Sequence, residues 1–229
     1  ILDDIAVKIQ EYPGVTVEKK EGYTSRNGMQ IHIVDLPGTY SLTAYSQDEV
    51  VARNYLTESH VDAVVDIVDA SNLERHLYLT VQLLELGVPT CIALNMMDVA
   101  DKRGININIE KLSQLLGIPV VPTVARSGKG KEDVINEVVK MAESNTAKSD
   151  FQISYGDDLG EALNEMEAII LRSDLLTGFY PARWIAVKYL ENDELVMSKG
   201  NASNNQISDQ LIGIVERATK HLDATLNTY

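Results

Sequence analysis

The sequence predicts an α/β fold, a mostly parallel sheet with helices on both faces, followed by a small all-helical domain. Three observations predict it. From residue 61 onward, Val- and Ile-rich stretches alternate with amphipathic helical stretches, as in a parallel sheet whose crossovers cover both faces. An antiparallel hairpin signal, Asn27-Gly28, precedes them. Beyond the polar, aperiodic stretch from Glu143 to Asp150, only helical periodicity remains. The domains are therefore expected at residues 1–145 and 146–229.

The elements follow in order. Val17 to Tyr23 and Met29 to Leu36 read as two strands, the second alternating through Ile31-His32-Ile33-Val34. Asp48 to Leu56 has a helical pattern. Val61 to Val68 reads as a buried strand. Asn72 to Leu86 is an amphipathic helix carrying Leu73, Leu77, Leu83 and Leu84, and Gly87 stops it. Val88 to Asn95 is the next strand, Ile109 to Leu116 a short helix stopped by Gly117, Ile118 to Thr123 a strand, and Glu132 to Ala142 a helix. In the second domain Leu159 to Leu171, Ala182 to Leu190 and Gln206 to Leu222 read as helices.

Composition removes several function classes. The 229 residues are 45% apolar, enough for a normal globular core, and carry a net charge of −14. Such a surface repels nucleic-acid phosphates, and no Lys/Arg stripe offsets it. Cys91, the single cysteine, sits in an apolar run and reads as a core thiol, so no intrachain disulfide can form. His32, His60, His76 and His221 lack metal-ligand spacing. No apolar run is long enough to cross a bilayer, so any membrane-spanning part would lie elsewhere.

Three polar motifs fall at the ends of expected strands, where ligands bind in open α/β sheets. They are Asp35-Leu36-Pro37-Gly38, Asn95-Met96-Met97-Asp98 and Val124-Ala125-Arg126-Ser127-Gly128. DxxG and NxxD are each weak signals. In this order and separation, they resemble the motifs of a P-loop GTPase with a Ras-like sheet. A carboxylate at Asp35 can hold Mg²⁺ through a water. Gly38 lets a backbone N–H approach a terminal phosphate with no Cβ in the way. Asp98 can accept two hydrogen bonds from the N1 and N2 edge of guanine, a donor pair that adenine lacks. Asn95 can tie neighbouring loops together, and the Ala125 N–H can donate to guanine O6. Met96 and Arg126 complete the expected base-binding loops. Thr16, in Pro13-Gly14-Val15-Thr16, then reads as the threonine that meets Mg²⁺ and the γ-phosphate; with Gly38 it forms the expected catalytic pair.

The resemblance narrows further. Pro13-Gly14-Val15-Thr16-Val17-Glu18-Lys19-Lys20-Glu21-Gly22, Asp35-Leu36-Pro37-Gly38-Thr39-Tyr40-Ser41-Leu42 and Val68-Asp69-Ala70-Ser71-Asn72-Leu73-Glu74-Arg75 resemble FeoB family sequences. Leu77-Tyr78-Leu79-Thr80 and Asn95-Met96-Met97-Asp98 do so too. The likeness runs from about Pro13 to Ala142. The remainder, with Arg183-Trp184 and Lys188-Tyr189-Leu190-Glu191, is similar to the family's helical spacer domain. The resemblance implies a GTPase on the cytoplasmic face of the membrane that binds GTP and GDP with Mg²⁺, and often K⁺. It also implies a membrane domain in the same polypeptide that passes Fe²⁺. Homo-oligomerisation is left open.

Three departures from the pattern accompany it. The GxxxxGK[ST] loop is absent, and the twelve residues before Pro13 contain no glycine. The expectation is a preceding piece of chain, with Ile1 to Gln10 covering the end of the helix after that loop and the start of switch I. Val124 stands where the family commonly has a small hydroxylated residue, which weakens the expected bracing of the base loop. No glutamine occurs after Gly38 until Gln47, so hydrolysis should rest on backbone groups and ions and be slow. Two other readings stay open: a nucleotide-free interaction module of the same fold, and a ribosome- or RNA-associated GTPase.

Overall fold

The computed structural model describes residues 8–11, 18–26, 28–43, 46–59, 61–144, 151 and 153–226. Backbone contacts divide the chain into two units, Ile1–Phe151 and Gln152–Tyr229. Thr16 and the Pro13–Val17 segment lie outside the described residues, as does most of the polar stretch after Ser144.

In the first unit, β1 (Lys8–Glu11), β2 (Glu18–Arg26) and β3 (Met29–Asp35) form an antiparallel sheet in that order. Arg26 pairs with Met29 across β2 and β3, and Gly28 between them has φ +80°, while Asn27 lies outside the described residues. That positive φ is what a tight hairpin turn asks of its central residues. Within the stretch expected to end a helix and begin switch I, Lys8–Gln10 ladder against Lys19–Glu21 as strand, and residues 1–7 lie outside the described residues. Alternation in so short a stretch cannot be told from a helix end, and only the cross-strand partner decides.

Helix α1 (Gln47–Glu58) then leads to the parallel strands β4 (Val64–Asp69), β5 (Thr90–Asn95) and β6 (Val120–Pro122). Ser46 caps α1 through the Glu49 N–H while the Glu49 carboxylate accepts from the Ser46 N–H, a reciprocal capping box. Strand β5 lies between β4 and β6. Among the described residues the strands ladder as two three-stranded sheets, one antiparallel and one parallel, the parallel one carrying the expected strand–helix alternation. A hairpin turn enforces antiparallel pairing, whereas helical crossovers enforce parallel pairing.

The central strand shows why an unbroken apolar run marks a two-sided core. Ile92 and Leu94 face one cluster, with Val68, Leu84, Ala100, Leu116 and Ile118. Cys91 and Ala93 face another, with Val121 and Val134. Helix α2 (Leu73–Glu85), the short α3 (Met97–Lys102) and α4 (Ile109–Leu116) cover the first face; α5 (Lys131–Ser144) covers the second. Successive side chains of a strand point to opposite faces. Burial pushes the Cys91 thiol up to about 12, with the Glu137 charge adding to it, so this cysteine is an inert packing group. The six-residue α3 is too short to show periodicity, and the sequence marks only a loop motif there.

The second unit consists of α6 (Gly156–Ser173), α7 (Ala182–Leu190) and α8 (Glu194–Leu226). Helix α7 is buried nearly all round: Trp184, Ile185, Ala186, Lys188 and Tyr189 are almost inaccessible. Lys188 is tolerated there because its Nζ donates to Glu191 Oε2 at 2.6 Å, with the ammonium 5.5 Å from the Trp184 ring centre. Helix α8 breaks at Asn204 (φ −155°, ψ 94°), where Asn204 Oδ1 accepts the Ile207 N–H. The segment expected from Gln206 thus starts on a side-chain cap, and a preceding helical segment from Glu194 joins it.

Close packing at Gly200 gives a first prediction. A Cβ there would collide with Tyr189 Oη, and that hydroxyl pairs with Ser208 Oγ at 2.7 Å in a buried site. Gly200→Ala should gain about 1 kcal/mol of helix propensity and lose about 2–3 kcal/mol to overpacking, for a net destabilisation. In a Tyr189→Phe background the same change should cost clearly less. Urea unfolding followed by the fluorescence of Trp184, the sole tryptophan, reads both. Equal costs in the two backgrounds would remove the clash as the cause.

Candidate functional site

The parallel strands end together. Asp69 pairs with Asn95 across β4 and β5, and Leu94 with Pro122 across β5 and β6. The Thr123 N–H donates to Leu94 O at 2.8 Å, which carries β6 one step further. Two polar loops therefore emerge side by side from β5 and β6.

Asn95 joins them. Its Oδ1 accepts the Ala125 N–H at 2.9 Å and the Thr123 hydroxyl at 3.4 Å. The Met97 N–H donates back to Thr123 O at 3.4 Å. The Ala125 N–H, read from the sequence as a donor to guanine O6, is directed at Asn95 Oδ1 in this structure. Ala125 and Arg126 are exposed on the same loop. Met96 adopts a left-handed conformation (φ 61°) and opens α3, an uncommon conformation for a side chain of this size. The turn sets Asp98 in the first turn of α3, half-exposed, with the Lys102 ammonium 4.0 Å away. The Asp98 carboxylate thus faces outward and not into the core.

Val124 cannot brace the loop with a hydroxyl, and its neighbours do so instead. The Val124 N–H donates to Lys129 O at 3.0 Å, and its carbonyl accepts from the Ser127 N–H and Ser127 Oγ. Thr123, 4% exposed, supplies the hydroxyl that reaches Asn95. Sequence reasoning gave no role to Thr123, nor to Ser127 within its motif. The signal was present in the hydroxyl residues flanking Val124, but only the loop's path shows which carbonyl each can reach. Gly130 closes the loop at φ +83°, where a Cβ would collide with Pro122 O. No other residue fits there without displacing the β6 backbone.

The remaining motif, Asp35 to Gly38, follows the antiparallel strand β3. Asp35 ends β3 with an exposed carboxylate. Gly38 is exposed, and a Cβ there would meet nothing within 4 Å. After it, Thr39 Oγ1 and Ser41 form a local turn, Ser41 Oγ donates to Glu49 Oε1 at 2.5 Å, and the buried Leu42 donates its N–H to Gln82 Oε1 at 2.6 Å. Gly38, Thr39 and Tyr40 share a cleft of ≈ 280 Å³ with Asp66, Ile67, His76 and Leu79. Burial pushes the Asp66 carboxyl up; the Thr80 hydroxyl, 2.5 Å away, and the charge of His76 pull it back in part. Among the described residues, no three His, Cys, Asp or Glu side chains are placed to share a metal ion. A lone carboxylate such as Asp35 still suits Mg²⁺, which keeps most of its water ligands. No helix among the described residues is long and apolar enough to cross a membrane.

Comparison with known proteins points to one family and one fold. A family model described as ferrous iron transport protein B matches residues 2–138, and one described as the FeoB cytosolic helical domain matches residues 155–229. The Fe(2+) transporter FeoB of Staphylococcus aureus is 40% identical over 216 residues, covering 94% of this chain and 31% of its own length. A Porphyromonas gingivalis Fe(2+) transport protein A/Fe(2+) transporter FeoB fusion protein is 44% identical over 188 residues, 81% of this chain and 22% of its own. The chain thus spans about a third or less of these relatives. Among solved structures, a GDP-bound point mutant of S. thermophilus NFeoB is 37% identical with a TM-score of 0.81, covering 97% of this chain and 83% of that one. The cytosolic domain of the T. maritima FeoB iron transporter in its GMPPNP form is 32% identical with a TM-score of 0.80, covering 96% and 90%.

Proposed function

The chain belongs to the ferrous iron transport protein B (FeoB) family, and on that premise we propose that it is the guanine-nucleotide-binding regulatory part of a ferrous iron transporter. In this reading residues 1–145 are the nucleotide-binding domain and residues 146–229 the helical spacer domain. Asp98 accepts the N1 and N2 protons of guanine, while Asn95, Met96, Val124, Ala125 and Arg126 shape the base loops. Asp35 and Thr16 would hold Mg²⁺, which when bound would neutralise charge on the phosphates. The Gly38 N–H meets the terminal phosphate, and K⁺ there is the family expectation. GTP binding and slow hydrolysis to GDP and phosphate, on the cytoplasmic side, control Fe²⁺ passage through a membrane domain of the same polypeptide.

The observation that carries this reading is the bond from the Ala125 N–H to Asn95 Oδ1. It joins two loops distant in sequence at the carboxyl ends of parallel strands, where a flat base can be gripped by both. Slow hydrolysis fits the segment after Gly38. Its first glutamine, Gln47, opens helix α1 and is not on the Gly38–Tyr40 turn. The relatives named as binding GDP or GMPPNP share the fold at over 30% identity.

The test is competition. Full-length protein is loaded with a fluorescent GDP, and unlabelled nucleotides are titrated against it. GDP and GTP should displace the probe at least about 100-fold more effectively than ADP and ATP, because adenine leaves the Asp98 carboxylate without its donors. Equal displacement by ATP and GTP would end this reading.

A further inference from the structure

Between Asp35 and the buried Leu42 the chain crosses the surface with Gly38 and Tyr40 exposed. The polar contacts of Thr39 and Ser41 are with nearby residues of the segment and with Glu49. The ring contacts of the stretch reach α2. Tyr40 is 54% exposed, yet the Arg75 guanidinium carbon stands 4.0 Å over its ring centre. His76, the next residue of α2, meets the same ring edge-on at 5.7 Å. Two turns further along α2, the Gln82 carboxamide oxygen accepts the Leu42 N–H.

A guanidinium at 4.0 Å over an aromatic face is attracted by the ring's negative face, and its planar shape stacks where an ammonium cannot. An exposed tyrosine on a turn has many rotamers available, and here one face and one edge are taken. The ring is two residues from the Gly38 N–H, so fixing Tyr40 restricts where that N–H points. Hydrogen-bond donors serve a charge only when held in place beforehand.

We propose that Arg75 is a positioning residue for the phosphate-sensing turn, holding Tyr40 so that the Gly38 N–H is set for a terminal phosphate. This rests on the nucleotide-binding reading above. Arg75 touches no phosphate in this account. It acts through Tyr40, so its effect is confined to ligands that carry a γ-phosphate. GDP, gripped at the base loops, does not depend on it.

The experiment measures GDP and non-hydrolysable GTP-analogue affinities, with kcat and KM for GTP, in full-length protein carrying Arg75→Ala, Arg75→Lys, Tyr40→Leu or the double change. Arg75→Ala should weaken the GTP analogue about three- to fivefold, the size an exposed cation–π contact supports, and leave GDP affinity within about twofold. Tyr40→Leu should give the same loss, and the double variant no more than either alone. Arg75→Lys should recover part of it, because the cation remains and the stacking plane is lost. Equal weakening of both nucleotides, no change in either, or additive losses would overturn the proposal. Those outcomes leave guanine selectivity intact. Loss of selectivity in the unaltered protein would instead remove the functional reading, and this inference with it.

Discussion

Asp98→Asn in the full-length protein is expected to lower GDP affinity by at least about 100-fold and to create affinity for xanthosine diphosphate. The carboxylate would accept two charge-assisted hydrogen bonds from guanine, each worth roughly 1.5–3 kcal/mol when desolvated; about 1.4 kcal/mol is one factor of ten. An asparagine offers one acceptor and one donor. It therefore meets the N2 amino group of guanine with a donor facing a donor, whereas the C2 carbonyl of xanthine accepts from it. The fold should not suffer. Asp98 is half-exposed on the first turn of α3, and its 4.0 Å pair with Lys102 is a solvent-screened contact. Isothermal titration with GDP and xanthosine diphosphate, beside a melting curve, separates the outcomes. Unchanged GDP affinity would show that the base is held elsewhere. A matching fall in thermal stability would show that Asp98 is a structural residue.

The second large effect concerns the helical unit. Trp184→Ala should destabilise it by about 3–5 kcal/mol, the usual range for deleting a buried aromatic ring. Trp184 is 1% exposed and stacks on Tyr180 with centroids 4.7 Å apart and planes 17° from parallel. The ring also carries the buried Lys188 ammonium at 5.5 Å, so its loss empties a cavity and removes a partner from a charge. A loss of this size takes a large part of the roughly 5–15 kcal/mol that holds a typical domain folded. Trp184→Phe should recover more than half, since the stacked face is kept. Far-UV circular dichroism against urea would read the transition. An unshifted midpoint for Trp184→Ala would mean that the unit does not depend on this packing.

Much of the element order was legible from local pattern. Ile109–Leu116 is a helix that periodicity marks out, between the Asn108 cap and a left-handed Gly117. A helix writes its face into residues three and four apart, and a cap needs only a neighbour, so both are visible in a short window. The limits appear where partners are remote. Lys8–Gln10 is strand through its pairing with Lys19–Glu21, and α8 extends back across the Asn204 break to Glu194. The base loops follow the same division. Spacing singles out Asn95, Asp98 and Ala125. It does not reveal the support from Thr123 and Ser127, because a hydroxyl carries no mark of which carbonyl it will reach.

The order of residues alone determined the alternation of strands and helices, the polar motifs at strand ends and the membership of the family, since each depends on chemistry within a few positions or on matching motifs. Only the tertiary structure decided that the described strands ladder as two sheets, that Asn95 Oδ1 takes the Ala125 N–H from a loop remote in sequence, and that Arg75 covers Tyr40. Those contacts join segments whose meeting depends on how the first unit closes around Ile92 and Leu94, and no local window holds both partners.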